Sequence, residues 1–392
     1  MKKSLAILFT VVMLASVLFA SAGCATSAPT ATPQPTKAAE TTDPATEAPA
    51  TSATPEATVD PATVKVGFIY IGPVGDGGYT YAQDQGRLYL EKELGVTTMM
   101  VENVPETADS KAQMENLVKQ GCKVIFATSF GYMDYTDEIA KEYPEVVFLH
   151  CSGYKMNETN FGNYFGREYQ ARYLAGIAAG KATKTNKIGY VAAMKIPECI
   201  RGINAFTLGV RSVNAEATVN VVWTNTWYDP TIEKNAADSL LQSGCDVMAQ
   251  HQDTPSAVAA AEAANAFSTG YNTTMAKYAP NGYLTSPIWN WGPYFKKVVE
   301  SVMNGTYKPE SYWGGLETGT IALDDYGPSV SQETKDLIKA KFDEISAKTW
   351  DVFTGPIKDQ SGAVKVADGV KMTDNEMLGM DWFVEGVVGS TK

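Results

Sequence analysis

The stretch KVGFI at Lys65–Ile69 returns as KIGYV at residues 187–191, and LVKQGCKVI at 117–125 returns as LLQSGCDVM at 240–248. Each first unit is a short apolar run rich in β-branched and aromatic residues, which reads as a buried strand. Each second unit reads as the end of a helix handing over to another strand, with Gly121 and Gly244 suited to a left-handed cap. Two recurrences in one register imply two lobes built on the same plan. Open parallel sheets bind ligands beyond the carboxyl ends of their strands, so twin lobes facing each other form a clamp around a ligand.

Working outward, three segments differ in composition, and only the third is able to build a core. Residues 1–23 carry Lys2 and Lys3, an apolar run through Phe19 and small residues up to Ala22-Gly23, the pattern of an export signal. Cys24 follows directly and resembles the lipidated cysteine of bacterial lipoproteins; an ordinary signal peptide cut beside it is the alternative. Residues 24–62 are almost wholly Ala, Thr, Pro, Ser and Glu, too poor in apolar surface to offset conformational entropy, and read as a disordered tether. Residues 63–392 suffice for two domains and contain no further apolar run of membrane-spanning length.

The net charge of −12 disfavours nucleic acid as a partner. Beyond Cys24, the cysteines Cys122, Cys151, Cys199 and Cys245 make no C-x-x-C pair, and their disulfide pairing stays open. The two histidines, His150 and His251, lack metal-ligand spacing, so neither a metal nor another cofactor is expected.

Strands alternating with helical stretches predict an α/β fold of two doubly wound, Rossmann-like lobes joined by a hinge. In the first lobe strands are expected at 64–71, 97–101, 123–128 and 146–150, with helices at 81–94, 110–120 and 134–143. In the second they fall at 187–193, 219–223, 246–250, 266–268 and 284–288, with helices at 203–213, 231–242, 256–265 and 292–304. Residues 167–182 read as a helix joining the lobes and 331–348 as a late helix. The chain is expected to cross more than once, giving a first lobe of 63–166 plus part of 291–325 and a second of 167–290 plus part of 326–392.

Superposing the halves pairs the strand-to-helix turns: 72–79 with 194–201, 103–104 with 226–227, and 129–134 with 252–257. On them, or just past them in the case of Asn204, stand Asp76, Tyr79, Phe130, Tyr132, Asn204, Trp227, Gln252 and Asp253, a set suited to a flat polar ligand. Aromatic faces stack on a planar heterocycle, contributing roughly 1–3 kcal/mol per base, while amides and carboxyls read its edge. Tyr79 and Trp227, from opposite lobes, are placed to close on two faces of one ring. The glycine-rich turn at 72–78 does not fit G-x-G-x-x-G, and Asp76 in its middle repels phosphate. ATSFG at 127–131 imitates a nucleophile elbow but lacks its first glycine, so no catalytic residue is assigned to Ser129.

Several longer motifs together resemble a known family: KVGFIYIGPVGDGGYTYAQDQGR (65–87), FATSFGYMD (126–134), PECIRGINAFTLGVRSVN (197–214), WTNTWYDP (223–230) and WGPYF (291–295). The chain is similar to the basic membrane protein lipoproteins, the substrate-binding components of ABC importers, with the fold of type I periplasmic binding proteins. That resemblance implies a non-enzymatic, lipid-anchored bacterial receptor on the outer face of the cell membrane. Its implied partners are a small ligand, ABC permease subunits and the membrane through its anchor, with the body a monomer.

The family's nucleoside-binding branch has a stacking Phe where this chain has Gly202, and a late Asp and Lys where it has 272–274 and Trp289 or Asn290. GYTYAQDQGR (78–87) is similar instead to the branch associated with purine bases such as adenine. The resemblance therefore implies a purine base over a nucleoside, with Tyr79 and Trp227 stacking and Asn204, Asp253 and Asn272 hydrogen-bonding. Trp291, in WGPYF, joins the expected site. Thr274, where the purine-base branch tends to carry Asp, leaves the exact ligand open. A secreted hydrolase of nucleosides or esters, and a tethered ligand sensor, are the competing readings.

Overall fold

In the computed structural model the described residues are 60–392; the expected export signal, Cys24 and nearly all of the tether lie outside them. The first half winds through β1 (Lys65–Ile69), α1 (Tyr79–Leu94), β2 (Thr97–Val101), α2 (Ala108–Lys119), β3 (Cys122–Ala127), α3 (Met133–Glu142), β4 (Val147–Cys151) and β5 (Phe161–Gly166). After α4 (Glu168–Ala182) the second half repeats the winding. It runs β6 (Lys187–Ala192), α5 (Pro197–Val213), β7 (Thr218–Trp223), α6 (Pro230–Gln242), β8 (Val247–His251), α7 (Ser256–Ala263), β9 (Phe267–Thr269) and β10 (Tyr283–Thr285). The parallel sheets run β2-β1-β3-β4-β5 and β7-β6-β8-β9-β10, so the expected pair of doubly wound α/β lobes is present.

The recurrent sequence units have a packing reason. Gly67 lies under Leu117 of α2, where a Cβ would sit 3.0 Å from the leucine Cδ1, and Gly189 lies under Leu240 of α6, where it would sit 3.0 Å from the leucine Cβ and 2.8 Å from the Met248 side chain. A bare strand position thus lets the crossover helix approach its sheet closely. Gly121 and Gly244 take φ of 90° and 93° just past those helices, the left-handed conformation their position required. Cys122 and Cys245 follow as small buried residues, and all four described cysteines are free.

The remaining chain shuttles between the lobes. It forms β11 (Pro287–Trp289), α8 (Gly292–Met303), β12 (Ser311–Gly314), β13 (Ile321–Leu323), α9 (Gln332–Ser346), β14 (Ile357–Lys358), β15 (Val364–Val366), α10 (Asp374–Leu378) and β16 (Val387–Val388). The strand expected at 284–288 is two strands: β10 stays in the second sheet, whereas β11 leaves it to pair antiparallel with β13. Helix α8 packs against α1, because Gly86 offers a bare patch where a Cβ would lie 2.7 Å from the Phe295 ring. Strand β12 extends the first sheet beside β5, and β16 extends the second beside β7. None of β5, β12 and β16 stood out in the sequence. Phe68, Phe126 and Phe295 fill the first-lobe core, with ring centroids 4.9 Å apart for Phe68–Phe126 and 4.4 Å for Phe126–Phe295.

Candidate functional site: the cleft between the lobes

Helix α5 starts at Pro197, six residues before its expected beginning, because proline is pre-shaped for the first helical position. That start puts Glu198 in the first turn, where the helix end meets the carboxyl ends of β4 and β8. Ser152, just past β4 with φ of 72°, donates from Oγ to Glu198 Oε2 at 2.6 Å, and His251 at the end of β8 donates from Nε2 to Glu198 Oε1 at 3.2 Å. The first of these bonds joins the two lobes.

A cavity opens at this point, lined by Ile71, Tyr79, Ser129, Phe130, Ser152, Glu198, Trp227, His251, Asp253 and Tyr271. Pockets for small ligands have this character: apolar and aromatic walls with a few placed polar groups. Tyr79 is fixed at the start of α1, its hydroxyl donating to the Thr128 carbonyl and lying 3.3 Å from Cys151 Sγ. Trp227, His251 and Tyr271 form a continuous aromatic wall, with centroids 6.3 Å and 4.7 Å apart. The lobes meet over the cavity: Thr273 Oγ1 donates to the Gly77 carbonyl at 2.8 Å, and a Cβ on Gly78 would fall 2.3 Å from the Asp253 carbonyl.

Burial, with the nearby Arg172 charge, pulls His251 down to about 4, so its ring is neutral at physiological pH. Its hydrogen bond to a carboxylate therefore fixes the proton on Nε2, leaving Nδ1 without a partner. Burial acts to raise Glu198, but the hydrogen bonds from His251 and Ser152, with the Arg201 charge, hold the carboxyl below its usual value. Asp253 goes the other way: burial first, then the charges of Asp76, Glu233, Glu198 and Glu106, push its carboxyl well up.

Of the residues proposed from sequence, Tyr79, Phe130, Trp227 and Asp253 line the cavity together. The other six lie away from its walls, each with a structural engagement. Asp76 accepts from the Gly78, Thr80 and Tyr81 amides and so caps α1. Tyr132 points into the first-lobe core and donates to the Val104 carbonyl at 2.5 Å. Asn204 holds the C-terminal segment, donating to the Trp382 carbonyl at 2.8 Å and accepting from the Val384 amide at 2.9 Å.

Gln252 donates to Thr224 Oγ1 at 2.7 Å, while Asn272 donates to the Gln252 carbonyl and accepts from Trp289 Nε1 at 2.9 Å. Trp291 stacks on Trp289 at 4.4 Å with its Nε1 buried and unpaired. Ser152, Glu198, His251 and Tyr271 were not proposed. One signal existed for Glu198, since aligning 72–79 with 194–201 lays it over Asp76.

Ser129 is in the wall, but its hydroxyl donates to Glu106 Oε1 at 2.6 Å, and His150 bonds the Ser129 backbone carbonyl at 2.8 Å instead of the hydroxyl. His150 is therefore not its base. Among the described residues no group of three His, Cys, Asp or Glu side chains is placed to hold a metal ion.

Residues 63–371 match the family described as ABC transporter substrate-binding protein, PnrA-like. The chain is 39% identical over 326 residues to a purine-binding protein of Brucella abortus (strain 2308), across 83% of this chain and 93% of that one. It is 43% identical over 293 residues, 75% of each chain, to a Haloferax volcanii protein provisionally named an ABC transporter glucose-binding protein. The solved structure of an ABC transporter solute-binding protein from Aeropyrum pernix K1 superposes with a TM-score of 0.65 at 21% identity, over 76% of this chain and 93% of that one, a likeness of fold.

Proposed function

The chain belongs to the PnrA-like family of ABC transporter substrate-binding proteins, and from that premise we propose that it captures a purine-like heterocycle, a free base such as adenine, for delivery to a permease. Proteins of this family work outside the cytoplasm, bind small ligands and dock on permease subunits. The observation that carries the ligand reading is the placement of Tyr79 and Phe130 from one lobe and Trp227 and Tyr271 from the other around a single cavity. Four aromatic side chains with two carboxyls suit a planar ring with polar edges.

The preference for a base over a nucleoside is supported by Asn272 and Trp289. The nucleoside-binding branch carries its ribose-reading pair at the positions of 272–274 and of Trp289 or Asn290, and within these Asn272 and Trp289 hydrogen-bond to each other. The identity to a purine-binding relative supports the same class. We also propose that Cys24 carries a lipid and that residues 24–62 tether the body, as a monomer, to the membrane. Cys24→Ala should then release the protein from the membrane fraction.

Calorimetric titration of the full chain with adenine, guanine, xanthine, adenosine, inosine and glucose tests the ligand. A base is expected to bind more tightly than the nucleosides and glucose. If no purine base or nucleoside binds better than millimolar, the assignment fails. Tyr79→Ala and Trp227→Ala are each expected to weaken binding by roughly 1–3 kcal/mol, and unchanged affinity in both would place the site elsewhere.

A further inference from the structure

The cavity that Tyr79, Phe130, Trp227 and Tyr271 enclose also takes Glu198 and Asp253 into its walls, and no Lys or Arg lines it. Aromatic faces carry the negative side of the ring quadrupole, so a box of them attracts positive charge, most strongly when water is excluded. Its two acids add to that field.

The arginines closest to the box stand outside its walls, each bonded to a neighbour but with one buried nitrogen left unpartnered. Arg172 stacks 3.6 Å over the Tyr271 ring but is paired with Glu168 and bonded to the Gln250 carbonyl. Arg201 donates to the Met377 carbonyl at 3.0 Å and does not line the cavity. His251 is neutral.

Asp253 is 4% exposed, and among the described residues no side chain donates to its carboxyl. A buried carboxyl without a donor is costly unless something pairs with it. Behind it lie further acids, Asp76, Glu106 and Glu233.

We propose that the cleft selects, within the heterocycle class of the reading above, a ring that carries a delocalised positive charge or an amidine-like N–H edge, with Asp253 and Glu198 as its acceptors. This inference rests on that reading for the ring and on charge for the choice among rings. A ligand offering only acceptors, or a net negative charge, meets two carboxyls and no cationic donor in the wall. A cationic ring reaches the Asp253 carboxyl and lies between aromatic faces that favour it.

The test is a matched pair of planar probes, benzamidinium and its neutral isostere benzamide, titrated calorimetrically into the full chain at neutral pH beside adenine. Benzamidinium is expected to bind at least about tenfold more tightly, and the gap is expected to close in Asp253→Asn. Should that variant not fold, Glu198→Gln provides the same comparison from the other wall. Equal binding of the two probes, tighter binding of benzamide, or no binding of benzamidinium overturns the proposal. Adenine separates the two readings: adenine binding without a preference for the cation sinks the charge selection alone. Cation preference without any purine binding sinks the purine reading and leaves the charge selection standing.

Discussion

After β2 the first lobe turns through Asn103 with φ of 56°, and after β7 the second turns through Asn225 with the same φ. Gly121 and Gly244 likewise end α2 and α6 with φ within a few degrees of each other. The cleft groups follow no such symmetry. Asp76 spends both oxygens on the amides at the start of α1, whereas Glu198, its counterpart in register, turns to Ser152 and His251 across the cavity. The second lobe supplies every ionisable acid and imidazole of the wall; the first supplies Ile71, Tyr79, Phe130 and two serines. Backbone geometry is held in duplicate because both sheets need the same turns and helix approaches, while ligand chemistry is concentrated in one lobe. Breaking each kind of feature should therefore give different results in the two halves.

The largest effect is expected behind the second-lobe wall. Arg172 and Glu168, 2% and 0% exposed, form an ion pair at 3.0 Å that also braces Tyr271 and the end of β8. Removing one partner of such a pair leaves a charge buried and alone, which costs about 3–5 kcal/mol, whereas replacing both by apolar residues is often neutral. Arg172→Met should lower the unfolding free energy in urea by that amount, and Arg172→Met with Glu168→Leu should recover most of it. A single variant as stable as the wild type would mean that the wall does not depend on the pair.

A smaller effect separates Glu233 from Ser110, which hold matching positions early in α6 and α2. Burial pushes the Glu233 carboxyl from 4.5 up to about 7, although the Thr254 hydroxyl and the Asp229 amide pull against it. The folded chain thus keeps a proton that the unfolded chain releases. The resulting stability is complete below about pH 4.5 and is lost as pH rises through about 7, a loss of up to about 3 kcal/mol. Asp76, pushed up by burial to about 6, works in the same direction in the first lobe. Denaturation from pH 4.5 to 8 should show a shallower decline in Glu233→Gln than in the wild type. Parallel slopes would remove Glu233 from the account.

Much of the scaffold was legible because strand glycines, helix leucines and capping glycines recur in sequence where they recur in packing. Gly67 meets Leu117 and Gly189 meets Leu240 at matching positions of the two lobes. Among the strands that escaped notice, β12 and β16 lie far along the chain from the strands they pair with, while β5 matches β10 in sheet position but carries no recurrent sequence unit. The cavity was legible where a side chain sits directly on a matched turn, as Tyr79, Phe130, Trp227 and Asp253 do.

Matched turns also hold residues that serve the backbone. Asp76 caps a helix, and Gln252 ties its turn to Thr224. Periodicity does not distinguish a carboxylate that caps from one that faces a ligand. Asn204 lies beyond the turns altogether, and only a segment 180 residues further on, at Val384, reveals what it binds. Ser152 and Tyr271 reach the cavity just past β4 and β9, matching strands of the two sheets whose ends carry no recurrent sequence unit.

The smallest expected effect is the sharpest measure of the duplication. At Gly121 the nearest atom to an added Cβ is Lys65 Cδ at 3.9 Å, and at Gly244 it is Lys187 Cδ at the same distance. Neither site is crowded, and the two lysines are themselves equivalents. The whole cost of Gly121→Ala or Gly244→Ala then comes from forcing an L-residue into the left-handed region, about 1–2 kcal/mol. Thermal or urea melts should return the same loss for both, and the double variant should lose their sum, since the sites lie in separate lobes and share no neighbour. A loss at one glycine and none at the other would show that the two caps, equal in φ, are held by different surroundings, and the twin plan would end at the backbone.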